Sequence, residues 1–132
     1  MYDLHTHTVL TDGEMLPVEL VRRLSVLGYT QLGITDHADA SNIEELIKAV
    51  KKLVPAAEEY GVILHPGVEL THVPPAMIPA MAREARMLGA EIVVVHGETT
   101  LEPVASGTNL AACSCKDVNV LAHPGFLTDD EA

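Results

Sequence analysis

Apolar residues along this chain switch repeatedly between two spacings, one suited to strands and one to helices. Tyr2 to His7 reads as a strand. Pro17 to Leu27 reads as a helix, with Val18, Val21, Leu24 and Leu27 at helical spacing and Gly28 as the stop. Gln31 to Thr35 is a short strand-like run. Ser41 stands three residues before Glu44, the pattern of a capping box, ahead of a helix carrying Ile43, Leu46, Ile47, Val50, Leu53 and Val54. Pro55 is expected to kink or divide that helix before Gly61. Val62–Leu64 and Val68–Leu70 read as strand interrupted by Pro66-Gly67. Pro74, Pro75 and Pro79 mark a loop and an early helical turn, and the helix then runs to about Leu88, with Gly89 as its stop.

The clearest strand is Glu91 to His96, where Ile92, Val93, Val94 and Val95 form a continuous apolar run. Such a run suits a parallel strand covered on both faces. Asn109–Cys115 reads as a short helix and Val118–Ala122 as a last strand, while Thr99–Thr108 has no clear period. Strand–helix alternation predicts parallel βα units within one domain spanning residues 1–132. Periodicity leaves open whether the sheet is doubly wound or closes as a (β/α) barrel. Thr128-Asp129-Asp130-Glu131 repeats the capping-box pattern, with acids where a helix N-terminus favours them. Because the chain stops at Ala132, the expectation is a domain that lacks its C-terminal part.

Composition narrows the functional classes. Hydrophobic residues make up 48% of 132, enough for a buried core. No apolar run approaches the roughly 18 residues of a membrane span. Met1-Tyr2-Asp3-Leu4-His5 lacks the basic and apolar regions of a leader, so a cytoplasmic location is expected. Eight Lys and Arg against 19 Asp and Glu give a formal charge of −11, which argues against nucleic-acid binding through a basic face and against anionic membranes. Aromatics are 3%, too few for a base-stacking platform. Cys113 and Cys115 are too close in sequence for an ordinary structural disulfide and read as reduced thiols.

Chemistry gathers where the predicted strands end. The first ends in His5-Thr6-His7, the second runs into Asp36-His37, the third ends at Glu69, the fourth at His96, and the last runs into His123. Open α/β sheets and barrels place their sites at these C-terminal strand ends, so the residues are expected to converge. Residues i and i+2 of a strand point the same way, which lets His5 and His7 share one metal. Imidazole and carboxylate suit zinc, manganese or iron. Glu69 is the natural bridge between two ions, and Asp12 reads either as an oxygen ligand or as an Asx turn before Gly13. Asp36 is expected to orient a neighbouring ligand or satisfy the loop backbone. His72 lies in the loop beyond Glu69 and reads either as lining the substrate entrance or as a structural or solvated histidine. His65 reads as structural and Glu98 as a rim or surface acid. No GxSxG, GxGxxG or P-loop lysine is present.

These residues resemble the PHP family, the polymerase and histidinol phosphatase domain. The matching motifs are Asp3-Leu4-His5-Thr6-His7-Thr8 with Asp12-Gly13, Ile34-Thr35-Asp36-His37, Gly67-Val68-Glu69, Val95-His96-Gly97-Glu98 and Ala122-His123-Pro124-Gly125. The stretches Glu69-Leu70-Thr71-His72 and His96-Gly97-Glu98-Thr99 are similar to those of histidinol-phosphatase-like members. The resemblance implies a distorted seven-stranded (β/α) barrel, here incomplete with about five βα units. It implies up to three divalent metal ions: His5 and His7 on the first, Glu69 bridging to a second completed by His96 and His123, and His37 with Asp12 on a third. The family's final Asp-x-His motif has no counterpart after His123.

The implied activity is hydrolysis of a small phosphorylated substrate, a nucleotide included, with Asp36 and His72 as the catalytic candidates and Arg or Lys at the rim adding charge. Two rival readings stand beside it. One is a metal-binding assembly module without turnover, pairing with another copy through exposed barrel edges. The other is an amidohydrolase-type enzyme, which also places HxH on a first barrel strand.

Overall fold

The computed structural model describes residues 1–131. The elements run β1 (Tyr2–Thr6), α1 (Pro17–Val26), β2 (Gln31–Ile34), β3 (His37–Ala38), α2 (Ile43–Lys51), α3 (Val54–Glu59) and β4 (Ile63–Leu70). A 3-10 turn at Pro75–Met77 leads into α4 (Ile78–Leu88), followed by β5 (Ile92–His96), α5 (Thr108–Cys113) and β6 (Val120–Ala122). The strands pair in the order β1-β2-β4-β5-β6, every pairing is parallel, and β3 pairs with β4. The result is a half-barrel of an α/β parallel sheet, as expected of an incomplete PHP-type barrel.

Helices cover one face, and the two-residue strand period decides what lies on each. Val93 and Val95 of β5 join Val68 and Leu70 of β4 in a core against α2 and α4. A second core packs Val21, Leu32, Ile34, Val50, Ala57, Val62 and Leu64. The other face of β5 carries Ile92 and Val94, which meet Leu4, Val120 and Ala122 in a small inner cluster. His96 continues that inward row, two residues beyond Val94. The β1–β2 register shifts between Asp3 and Thr6, an irregularity that lets Leu4 join the inner cluster while His5 and His7 reach the site.

Three local expectations need correction. The strand through Pro66-Gly67 is continuous, because its partners change there: Ile63–Pro66 pair with β2 and Gly67–Leu70 with β5. Pro66 has no N–H to donate, yet its carbonyl accepts from Glu91 N–H at 2.7 Å. A Cβ on Gly67 would stand 2.7 Å from the Ile92 carbonyl oxygen and 2.8 Å from Thr35 Cγ2, so this close approach needs glycine. The Ser41–Glu44 capping box does not form. Asp39 Oδ1 accepts from the Ser41 N–H at 2.7 Å and its hydroxyl at 2.6 Å, and α2 begins after Asn42. Glu44 instead pairs with Lys48. His37 does not simply follow a strand but starts β3, aligned with Glu69 of β4. Near the end, Thr128 N–H and hydroxyl both donate to Glu131 Oε2 at 2.8 Å, while the Glu131 N–H bonds the Thr128 carbonyl, so only the Glu131 half of the second box forms, within a turn.

Candidate metal centre

Glu69 occupies the middle of the site. It lies at the C-terminal end of the central strand, beside β3 and β5, and is 0% exposed. Its Oε2 is 3.1 Å from His5 Nε2, 3.1 Å from His7 Nε2 and 3.3 Å from His37 Nδ1. Its Oε1 is 3.5 Å from His123 Nε2. Burial pushes the Glu69 carboxyl up, but hydrogen bonds from His5 and His7 and the charges of His5 and His37 outweigh it, leaving the group well below the usual carboxylate range. The hydrogen bond to Glu69 raises His7 above an ordinary histidine, against its burial. Burial lowers His123, and His96 adds to that.

Surrounding groups fix which imidazole nitrogen faces the centre. His96 Nδ1 lies 3.1 Å from the Gly97 carbonyl, which only accepts, so Nδ1 carries the proton and Nε2 is free to bind a cation. The Thr71 hydroxyl donates to the Glu69 carbonyl at 3.0 Å, so at 2.6 Å it accepts from His37 Nδ1–H. His37 Nε2 is then turned to Asp12 Oδ2 at 3.3 Å. Asp12 Oδ1 is also 3.5 Å from His7 Nδ1. Three donor groups result: His5, His7 and Glu69; His7, Asp12 and His37; Glu69, His96 and His123.

The donor set fits divalent metal. Donors about 2.1 Å from one ion lie roughly 3–3.5 Å from each other. The separations between the nitrogens and oxygens free to bind run from 3.1 to 3.5 Å. His5 Nε2 and His7 Nε2 stand 3.2 Å apart, an arrangement that a shared cation satisfies better than a single proton. Glu69 Oε1 and His7 Nδ1 are buried without a hydrogen-bond partner among the described residues. Leaving such an atom unsatisfied costs about 1–3 kcal/mol, which a bound cation would offset at Glu69.

The cluster opens into a cleft of about 570 Å³ lined by His7, Asp12, His37, Glu69, Thr71, His96, Thr99–Glu102, His123 and Gly125. Among the described residues no Lys or Arg lines it, so the expectation of a basic rim is not met. The expected catalytic pair, Asp36 and His72, does not line it either. Asp36 is buried below the first loop: Oδ1 accepts from Thr8 N–H at 2.7 Å and the Thr11 hydroxyl at 2.6 Å, and Oδ2 from the Thr8 hydroxyl at 2.7 Å. With both oxygens engaged, it shapes the loop that presents Asp12. His72 adopts φ +55° in the loop after β4 and stands behind the cleft lining, beside Glu102, 3.1 Å from its Nε2, and stacked on His96.

Glu98 is neither rim nor free surface acid. Its Oε1 accepts from the Gly107 and Asn109 N–H groups at 2.9 and 3.1 Å, anchoring the start of α5. His65 sits at the other end of β4, between Glu91 and Gln31. Glu102 is the cleft residue that the sequence pattern misses. It lies in the segment without periodicity, where nothing in the sequence tells which way a carboxylate points.

Fold and donors together define the class: a parallel α/β half-barrel with a histidine–carboxylate centre able to hold divalent metal. The chain belongs to the PHP domain family, whose PHP domain pattern matches residues 2–103. It is similar to Uncharacterized protein MJ1295 of Methanocaldococcus jannaschii, 53% identical over 133 residues, covering 99% of this chain and 61% of that protein. A 5'-3' exoribonuclease of Haemophilus influenzae is 37% identical over 70 residues, 53% of this chain and 23% of that protein. The chain therefore spans about three-fifths of the first relative and less than a quarter of the second. No helix among the described residues is long and apolar enough to cross a membrane.

Proposed function

We propose that this chain is a metal-dependent phosphoesterase of the cytoplasm that hydrolyses a small phosphate monoester, in the manner of histidinol-phosphatase-like members of its family. The observation that carries this reading is the buried Glu69 carboxylate among histidines, with one oxygen lacking a hydrogen-bond donor. His5 and His7 would hold one ion with Glu69, His96 and His123 would hold a second with Glu69, and His37 with Asp12 would hold a third. Zinc, manganese and iron all accept these donors. Bound divalent ions supply an acidified water and neutralise charge on phosphoryl oxygens.

The chain's own residues orient and shield. His96 and His37 are locked in single orientations by Gly97 and Thr71. Asp36 holds the Thr8–Thr11 loop so that Asp12 faces His37. With no Lys or Arg in the cleft among the described residues, bound metal would be the main source of positive charge for a phosphate. A net charge of −11 favours a small ester or nucleotide over a long polyanion, although one relative is an exoribonuclease. A reading without turnover is favoured by one feature: the outer edges of β1 and β6 pair with no strand among the described residues, which suits association with another copy or with further strands.

Phosphate release from p-nitrophenyl phosphate, a nucleoside 5'-monophosphate and a short 5'-phosphorylated RNA separates these readings. The phosphoesterase reading expects turnover of a monoester that chelation abolishes and added manganese or zinc restores. A metal-loaded protein inert toward all three supports the assembly module. RNA as the sole substrate would overturn the small-ester reading.

A further inference from the structure

Loop 99–102 brings to the cluster a carboxylate, Glu102, that none of the quoted histidine and acid motifs contains. The Thr99 hydroxyl accepts from the N–H groups of Leu101 and Glu102 at 3.2 and 3.1 Å, which folds the segment into a tight turn. The turn leaves Leu101 92% exposed and aims Glu102 back at the cleft. Glu102 Oε2 lies 3.5 Å from His96 Nε2, the ring nitrogen turned away from the Gly97 carbonyl. That separation is within the spacing of donors that share one ion, while Glu102 stands outside the set of Glu69, His96 and His123 whose donor atoms lie within 4.8 Å of one another, so ligation would take a turn of its flexible side chain toward them. On its far side the same oxygen meets His72 Nε2 at 3.1 Å, and the His72 ring stacks on His96 with centroids 6.0 Å apart. His72 adopts φ +55° there, a conformation that non-glycine residues seldom take.

We infer that Glu102 is a metal ligand, adding its carboxylate to the ion held by Glu69, His96 and His123, with His72 positioning it. This rests on the metal-centre reading of the cluster. A bare surface ion pair with His72 would not require the carboxylate also to face Nε2 of a 5%-exposed histidine. His72, as a hydrogen-bonding neighbour of a ligating carboxylate, has the role such partners commonly play in metal sites.

The test titrates manganese, zinc and cobalt(II) into chelator-treated wild-type protein, E102Q, E69Q and E91Q. The expected result is weaker binding by E102Q, about 10–100-fold at one of the sites, with E91Q unchanged. The visible bands of the cobalt(II) protein, which follow ligand number and geometry, should shift in E102Q but not in E91Q. Equal affinity and an unchanged cobalt spectrum in E102Q would overturn the inference while leaving the metal centre intact. An equal loss in E91Q would reduce the effect to net charge and overturn it too. Wild-type protein that binds no metal would overturn both the inference and the reading beneath it.

Discussion

The two ends of β4 carry ionisable side chains in opposite circumstances. At the start, His65 Nδ1 meets Glu91 at 2.6 Å and its Nε2 meets Gln31 at 3.2 Å, so both ring nitrogens are used. At the end, Glu69 is buried among His5, His7, His37 and His123, and one of its oxygens has no hydrogen-bond partner among the described residues. His65 is held as a structural residue is held, by one acid and one amide at the surface. Glu69 collects more cation-binding atoms than protons can satisfy. The difference teaches that a histidine or an acid at a strand end marks a site only when its neighbours leave donor atoms over.

The largest effect expected from this contrast is on metal binding. Glu69→Gln should weaken binding by more than about 100-fold, because it removes a negative donor common to two groups. His65→Gln should leave metal content unchanged. Elemental analysis of both variants, purified without chelator, checks the pair, and a comparable loss in the His65 variant would erase the distinction.

A smaller effect is expected beneath the site. Asp36→Ala removes the acceptor for Thr8 and Thr11 and leaves buried donors unpaired. It should cost about 1–3 kcal/mol in urea unfolding of the metal-free protein and weaken metal binding by about 10-fold through Asp12. An unchanged unfolding midpoint would show that the first loop does not depend on it.

The smallest concerns Asp39, at the turn into α2. Its hydrogen bonds from the Ser41 side chain and backbone hold its carboxyl below the usual aspartate range. A depressed folded-state value means stability that is present above the unfolded pKa and lost as pH falls through the folded one. Asp39 is exposed, so solvent screening keeps the effect slight. Melting temperatures of wild type and Ser41→Ala should therefore differ slightly at neutral pH and converge in strong acid.

Much of this was legible in the residue pattern, and its failures have physical causes. The Ile92–Val95 run announces a strand buried on both faces, and the burial of β5 agrees. Strand ends carrying His5, His7, Glu69, His96 and His123 announce convergence, because parallel strands share a C-terminal edge. Pro66-Gly67 misleads because proline and glycine usually break strands, whereas here a change of pairing partner and a close approach to Ile92 use both. For Asp36 the sequence allows a role in satisfying the loop backbone, and the carboxylate does accept the Thr8 N–H, but it does not give the direction of the rest: the Thr8 and Thr11 hydroxyls, from another segment, take up its carboxylate. Glu102 is hidden because its turn depends on the Thr99 hydroxyl and has no periodic signature.

Anomalous diffraction at the zinc or manganese edge, from crystals grown with that metal, tests the central claim most directly. Peaks are expected on both sides of Glu69, one near His5 and His7 and one near His96 and His123. Density for a well-ordered Glu69 with no peak beside it, or a peak only at His65 and Glu91, would contradict it.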